Sequence, residues 1–225
     1  MEQSRTEKII GIDNINKLNN TSVLLVGIGG VGGSALEMLV RSGVNNITIV
    51  DFDKFEKSNL NRQILSLETN INKYKVDIAK ERVFLINPKC NVITYNKKVD
   101  KHFINILDNN YDYIIDACDD VNAKVILVKY AIKKGIKIIS CCGTGNKIDP
   151  SKLYITNIWK TEYDPLAKKL RSELKKEKIN YKLPVVTSSE QPLIKTGGFV
   201  GSMAMVPNSA GILLASYVIN DVIDK

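Results

Sequence analysis

The stretch SVLLVGIGGVG, Ser22 to Gly32, limits the possible folds of this chain more than any other. SVLLVG (Ser22 to Gly27) is a continuous apolar run, as a strand buried on both faces requires. It leads directly into Gly27-Ile28-Gly29-Gly30-Val31-Gly32, a G-x-G-x-x-G pattern. Beyond it Ala35, Leu36, Leu39 and Val40 recur at helical spacing up to Gly43. The glycines permit a tight turn and close backbone approach, and the first N–H groups of the helix attract phosphate. Asp51 closes a second strand, NITIVD (Asn46 to Asp51), about 20 residues on, where an acid can hold ribose hydroxyls. Strand, glycine turn, helix and acid together predict a nucleotide site; taken alone, they suit an NAD-dependent oxidoreductase as well.

The pattern continues through the first 150 residues. KVDIAKERVFLIN (Lys75 to Asn87) is an amphipathic helix stopping before Pro88, and NVITY and YDYIIDA (Tyr111 to Ala117) are strands. A helix from Asn122 to Lys134 leads through Gly135 into the strand IKIIS. Strands alternating with helices at this spacing predict a Rossmann-like doubly wound α/β fold, its mainly parallel sheet covered by helices on both faces. After Asp149-Pro150 the rhythm changes to a strand KLYITNI, a basic helix Pro165 to Lys178, a strand KLPVVTS, a mobile Gly/Pro/Ser-rich loop Ser189 to Ser202, and a closing helix Ser209 to Ile223. With no repeat and no linker, residues 1–225 are expected to form one domain. Residues 1–150 are its nucleotide-binding half; 151–225 form a substrate and crossover half with the closing helix.

The chain carries 32 basic and 24 acidic residues, a surplus of +8 that suits a polyanionic partner as well as it suits a solvated lysine-rich surface. Its polar N-terminus MEQSRTEK has no apolar core, and no apolar run approaches the roughly 20 residues of a membrane span, so a cytoplasmic protein is expected. The one histidine, His102, lies in a polar stretch that reads as a surface helix, which argues against histidine-centred acid–base chemistry. Cys90, Cys118, Cys141 and Cys142 show no C-x-x-C spacing, so neither a zinc motif nor a dithiol pair is present.

The segment Asp51 to Gln63, DFDKFEKSNLNRQ, with Lys75 beyond it and Asp119-Asp120 after the fourth strand, gathers amides, cations and acids around one phosphate region. Hydride transfer does not need those cations. Attack on an α-phosphate does, because negative charge accumulates on phosphorus and on departing pyrophosphate. VLLVGIGGVGG, VDFDKFEKSNLNRQ, Lys75 and IIDACDDV, in that order, resemble the superfamily of ThiF, MoeB and ubiquitin-activating enzymes over roughly residues 5 to 145. That resemblance implies adenylation of a carboxylate by ATP with Mg²⁺. It places Gly27, Gly29, Gly30 and Gly32 at the phosphate turn, Asp51 at the ribose and Asp53 beside it. Asn59, Arg62 and Lys75 fall at the ATP phosphates, with Gln63 supporting Arg62. By the same resemblance Arg62, Lys75 and Asp119 are expected to be catalytic and Asp119 to hold the metal, with Asp120 either part of the site or a cap for the helix that follows. The resemblance also implies a homodimer in which Arg5 reaches the partner's ATP.

Members that activate ubiquitin-like or sulfur-carrier proteins carry an acyl-accepting cysteine and often paired C-x-x-C motifs; the crossover region Tyr154 to Pro192 contains no cysteine. SRTEKIIGIDNINKL, GTGNKIDPSKLYITNIWKTEYDPLAKKLRSELKK and VVTSSEQP resemble instead the tRNA threonylcarbamoyladenosine dehydratase branch. This branch implies ATP-dependent cyclisation of threonylcarbamoyladenosine beside the tRNA anticodon, and it admits a sulfur-transfer partner protein. Ring closure within one modified base needs no enzyme cysteine. Lys168, Lys169, Arg171, Lys175, Lys176 and Lys178 then become candidate tRNA phosphate contacts, against a solvated face paired locally by Glu173 and Glu177; Lys147 and Lys160 are further candidates. Trp159 suits a core position or stacking on a base. Activation of a carrier protein's C-terminus is the alternative.

Overall fold

The computed structural model describes residues 1–107, 110–194 and 200–223. Strands β1 (Ser22–Val26), β2 (Asn46–Val50), β3 (Asn91–Tyr95), β4 (Tyr113–Asp116), β5 (Lys137–Cys141), β6 (Leu153–Asn157) and β7 (Pro184–Ser188) form one sheet in the order β3-β2-β1-β4-β5-β7-β6. All neighbours run parallel except β6, which pairs antiparallel with β7 at the edge. The helices are α1 (Ser4–Asn20), α2 (Gly30–Arg41), α3 (Lys75–Ile86), α4 (Val121–Lys134), α5 (Pro165–Lys176) and α6 (Met205–Val222). The expected mainly parallel α/β sheet is thus present, and the two strands of the second half extend it.

Period-2 alternation explains why both faces are apolar. Along β1, Val23 and Leu25 enter a core built with Leu36 and Leu39 of α2, Val76 and Ala79 of α3 and Leu214 of α6. Leu24 and Val26 point the other way, into a core with Val125 and Val128 of α4 and Leu170 and Leu174 of α5. Complete burial of each such side chain contributes about 1.5–3 kcal/mol, so β1 is the common member of both layers. Trp159 belongs to the second core, its Nε1–H donating to the Tyr181 carbonyl at 3.0 Å.

One helix was not expected from the sequence, and another begins earlier than expected. Helix α1 is not announced by an apolar period: only Ile15 and Leu18 are buried, and Gly11 interrupts it at φ +77°. Helix α6 starts at Met205, four residues before Ser209, because Val206 and Pro207 are already core positions. Residues 195–199 of the loop expected from Ser189 to Ser202 lie outside the described residues. His102 is exposed just before the short 3₁₀ turn Phe103–Ile106, as its polar context suggests.

Where β4 meets α4, a charge pair lies inside the protein. Lys124 Nζ donates to Asp116 Oδ2 at 3.0 Å and to the Cys141 carbonyl at 2.8 Å, with both side chains fully buried. Ser140 Oγ donates to the same carboxylate at 2.7 Å, and the Cys118 thiol to its other oxygen at 3.0 Å. Burial disfavours the Lys124 ammonium, yet Asp116 more than offsets this and raises its pKa. Removing one partner of such a pair leaves the other charged and dry. Lys124→Met is therefore expected to lose about 3–5 kcal/mol in urea unfolding. The double variant Lys124→Met/Asp116→Leu recovers most of that loss; a double variant as unstable as the single one would show that the pair's charges are not the cause.

Candidate functional site

The carboxyl ends of β1, β2 and β4 open onto one cavity of about 400 Å³. In a doubly wound sheet ligands bind at this end. The floor is the turn from β1 to α2. Gly27 has φ +90°, and a Cβ there would sit 2.9 Å from the backbone of Ala117 and Cys118. Gly32 packs still closer: its Cβ would fall 1.7 Å from the Gly27 carbonyl oxygen. These two glycines let helix α2 start tight against β4. At Gly29 the nearest atom to a Cβ would be Gln63 Nε2, 3.9 Å away, so the surface above that residue is open. Helix α2 starts at Gly30, and its first N–H groups have no carbonyl one turn back.

The acid at the end of β2 is held by backbone. Asp51 Oδ2 accepts from Ile28 N at 2.6 Å and Oδ1 from Asp53 N at 2.8 Å. Burial raises its pKa, while Lys75 and the two amides work in the opposite direction. Lys75, at the first position of α3, is itself buried and pairs with Asp53 at 3.0 Å. Arg62 is half-buried; its Nη1 donates to the Ser58 carbonyl at 2.6 Å and to Asn61 Oδ1 at 2.9 Å. Asn59 Oδ1 accepts from Glu56 N at 3.2 Å, shaping the turn that carries Arg62. Gln63 lines the cavity, but its side chain does not bond Arg62, and its buried Oε1 has no partner among the described residues. Asp119 is exposed at the cavity edge. Asp120 caps α4, accepting from Asn122 N and Ala123 N, and pairs with Lys98 at 2.9 Å; Lys98 first and those amides next hold it below the usual carboxylate range.

Of the residues expected from sequence, Gly27, Gly29, Gly30, Asp51, Asp53, Asn59, Arg62, Gln63, Lys75, Asp119 and Asp120 all line this one cavity. Gly32 and Arg5 do not. Gly32 acts through backbone packing, and Arg5 is exposed on the first turn of α1. Sequence reasoning missed Phe52, Lys97, Lys98, Thr144 and Ser202, which complete the walls. Lys97 and Lys98 follow β3, the third strand ending at this edge, and that position was the available signal. Two candidate tRNA contacts are corrected. Arg171 is half-buried and donates to the Thr161 carbonyl at 3.0 Å, and Lys147 is buried with Nζ on the Gly143 carbonyl at 3.1 Å. Lys160, Lys168, Lys169, Lys175, Lys176 and Lys178 are exposed. Lys176 pairs with Glu173, and Glu177 reaches Lys129 on α4.

Residues 2–220 match the ThiF family. The tRNA threonylcarbamoyladenosine dehydratase of Bacillus subtilis is 36% identical over 241 residues, covering 98% of this chain and 94% of that protein. The chain belongs to this dehydratase branch of the ThiF family. A crystal structure of the Escherichia coli dehydratase TcdA in complex with AMP matches with a TM-score of 0.93 at 31% identity, over 98% of this chain and 93% of that one. The same E. coli protein in complex with ATP matches with a TM-score of 0.90 at the same identity and coverage.

For a ThiF-family protein the cysteines are the deciding chemistry. Burial pushes the Cys90 thiol up to about 11 and the Cys141 thiol up to about 12. Burial, with Asp116 beside Cys118 and Asp164 near Cys142, drives those two well above the ordinary thiol value. All four are free thiols. At pH 7.5 a thiol of pKa about 11 is less than ~0.1% thiolate, too little for rapid nucleophilic attack. Native protein is expected to take up iodoacetamide slowly at pH 7.5, whereas urea-unfolded protein takes up four equivalents at the rate of a free thiol. A fast-labelling cysteine in the native protein, located by peptide mass mapping, would overturn this assignment.

Proposed function

We propose that this protein uses ATP with Mg²⁺ to dehydrate threonylcarbamoyladenosine beside the tRNA anticodon, closing it into a ring. The observation that carries this reading over a route through an enzyme thioester is the burial of the thiols, three buried and Cys118 half-buried, which raises the pKa of each. Acyl transfer to an enzyme cysteine needs a thiolate, whereas intramolecular closure needs only position. A threonyl carboxylate oxygen attacks the α-phosphate of ATP and displaces pyrophosphate; a nucleophile within the same modified base then bonds to the activated carboxyl carbon, releasing AMP with that oxygen and giving up its own proton, so that the base loses one water overall.

The residues present suit that ligand. The open surface over Gly29 and the amides of the β1–α2 turn offer donors to phosphate, and Arg62 and Lys75 add positive charge where it develops on oxygen. Lys75 keeps further N–H donors beyond its bond to Asp53, and Arg62 keeps Nη2 and Nε. Asp51, with lone pairs beyond its two amide partners, holds ribose hydroxyls. Asn59 Oδ1 is occupied by the turn, and Nδ2, which gives one hydrogen to Ser58 Oγ at 3.3 Å, keeps its second for phosphate. Asp119 offers a hard carboxylate oxygen to Mg²⁺.

The exposed lysines of α5 form the surface for tRNA phosphates, making binding salt-dependent. The active form is a homodimer in the cytoplasm, with Arg5 serving the partner's site and room for a sulfur-transfer protein to assist. No described helix is long and apolar enough to cross a membrane.

Mass spectrometry of nucleosides from tRNA bearing threonylcarbamoyladenosine, after incubation with protein and ATP–Mg²⁺, tests the reading. The expected result is ATP-dependent loss of one water mass. An unchanged nucleoside, with ATP still exchanging pyrophosphate, would turn the assignment to a carrier protein. Arg62→Ala and Lys75→Met are each expected to lower this turnover by about 10²–10³-fold without loss of fold. Cys118→Ser is expected to retain ring closure, and its inactivity would restore a thiol to the mechanism.

A further inference from the structure

Asn208, near the start of α6, touches none of the cavity space, yet it is bonded to two elements that build the cavity. Its Nδ2 donates to the Arg62 carbonyl at 2.9 Å and to the Ala204 carbonyl at 2.6 Å. Its Oδ1 accepts from Ser34 Oγ, a buried hydroxyl on the second turn of α2. One amide therefore ties together the glycine-turn helix, the first turn of α6 and the backbone of the arginine.

The surrounding contacts leave this junction little slack. A Cβ on Gly211, one turn along α6, would meet the Val31 carbonyl at 2.1 Å, so the two helices are in backbone contact. A Cβ on Gly30 would lie 3.1 Å from the Arg62 carbonyl and 3.2 Å from Pro207. The arginine's own N–H is bonded within its turn, to Asn59 O at 3.1 Å. Its carbonyl is the point where the turn is fixed to the rest of the protein by a side chain, supported one residue earlier by Asn61 Nδ2 on Ser202 O at 2.9 Å. Loss of the Asn208 amide frees that carbonyl to rotate, and the half-buried guanidinium moves with its backbone.

We propose that Asn208 is a positioning residue for Arg62, holding its guanidinium in register with the phosphate-facing turn of α2. The proposal rests on Arg62 meeting ATP phosphate as read above. Asn208→Asp is the informative variant: it retains an oxygen for Ser34 but loses the hydrogens given to Arg62 and Ala204. Ser34→Ala removes the other contact and leaves the amide on the Arg62 carbonyl.

The test is a double-mutant cycle on ATP consumption with modified tRNA, with kcat and KM for ATP measured separately and melting temperature recorded for every variant. Asn208→Asp and Asn208→Ala are expected to lower kcat/KM for ATP about tenfold, while Ser34→Ala stays within about twofold at a comparable melting temperature. In an Arg62→Ala background, Asn208→Ala should cost less than about twofold more, because a displaced arginine and an absent one are alike. An undiminished tenfold loss in that background would overturn the positioning role while leaving Arg62 in place. Arg62→Ala without effect would overturn both the assignment of Arg62 and this inference. Equal losses in Asn208→Asp and Ser34→Ala would assign Asn208 to helix packing alone.

Discussion

Behind the cavity, out of reach of water, the Asp116 carboxylate takes bonds from Lys124 Nζ, Ser140 Oγ, the Cys118 amide and the Cys118 thiol. Those groups come from β4, β5, the turn after β4 and the first turn of α4. A single buried charge thus fixes the ends of two central strands and the entry of a helix, and the lysine that neutralises it also binds the Cys141 carbonyl on β5. An ion pair in a dry interior is not a cheap source of stability, since desolvation consumes much of the Coulomb attraction. Its effect here is directional: five bonds to one carboxylate and one ammonium leave the turn Ala117–Asp120 a single arrangement. Asp119 and Asp120 stand on that turn, and Gly27 abuts its backbone. Asp119 and the β1–α2 glycine turn are therefore set by the same buried pair.

The opposite wall is set by different means. Arg62 and Asn59 lie on a short turn with little regular structure, and their placement comes from side-chain-to-backbone bonds: Asn59 to Glu56 N, Arg62 to Ser58 O, Asn208 to Arg62 O. Lys75 gains its fixity from burial and from Asp53. The cavity is thus a floor of strand ends facing a wall on which Asn59, Arg62 and Lys75 are each held by at least one polar bond.

Much of this was legible in the sequence because the informative features are local. The run SVLLVG, the glycines and the positions Asp51 and Asp119 are each close in sequence to the strand end that presents them, so order along the chain translates into a shared edge of the sheet. What escaped detection depends on pairing between distant segments. Lys124 reads as one polar position of an amphipathic helix, and only folding sets it against Asp116 and Cys141. Arg171 looked like one of a solvated row, but its position on α5 faces the Thr161 carbonyl. Lys147 was similarly withdrawn from the surface by the Gly143 carbonyl. Helix α1 was invisible because a helix that buries only Ile15 and Leu18 leaves almost no apolar period to read.

The contact between Gly32 and the Gly27 carbonyl has an evolutionary corollary. A methyl group at Gly32 would occupy the space of that oxygen, so this position admits no side chain even in a protein that has lost every catalytic group. Gly29, by contrast, has empty space where a side chain would grow, and folding alone places no bar on its replacement. A lineage that abandoned ATP while retaining the fold would keep glycine at 32 and drift at 29. The bar at 32 is thus set by the backbone of the fold itself, whereas any bar at 29 would have to come from a ligand.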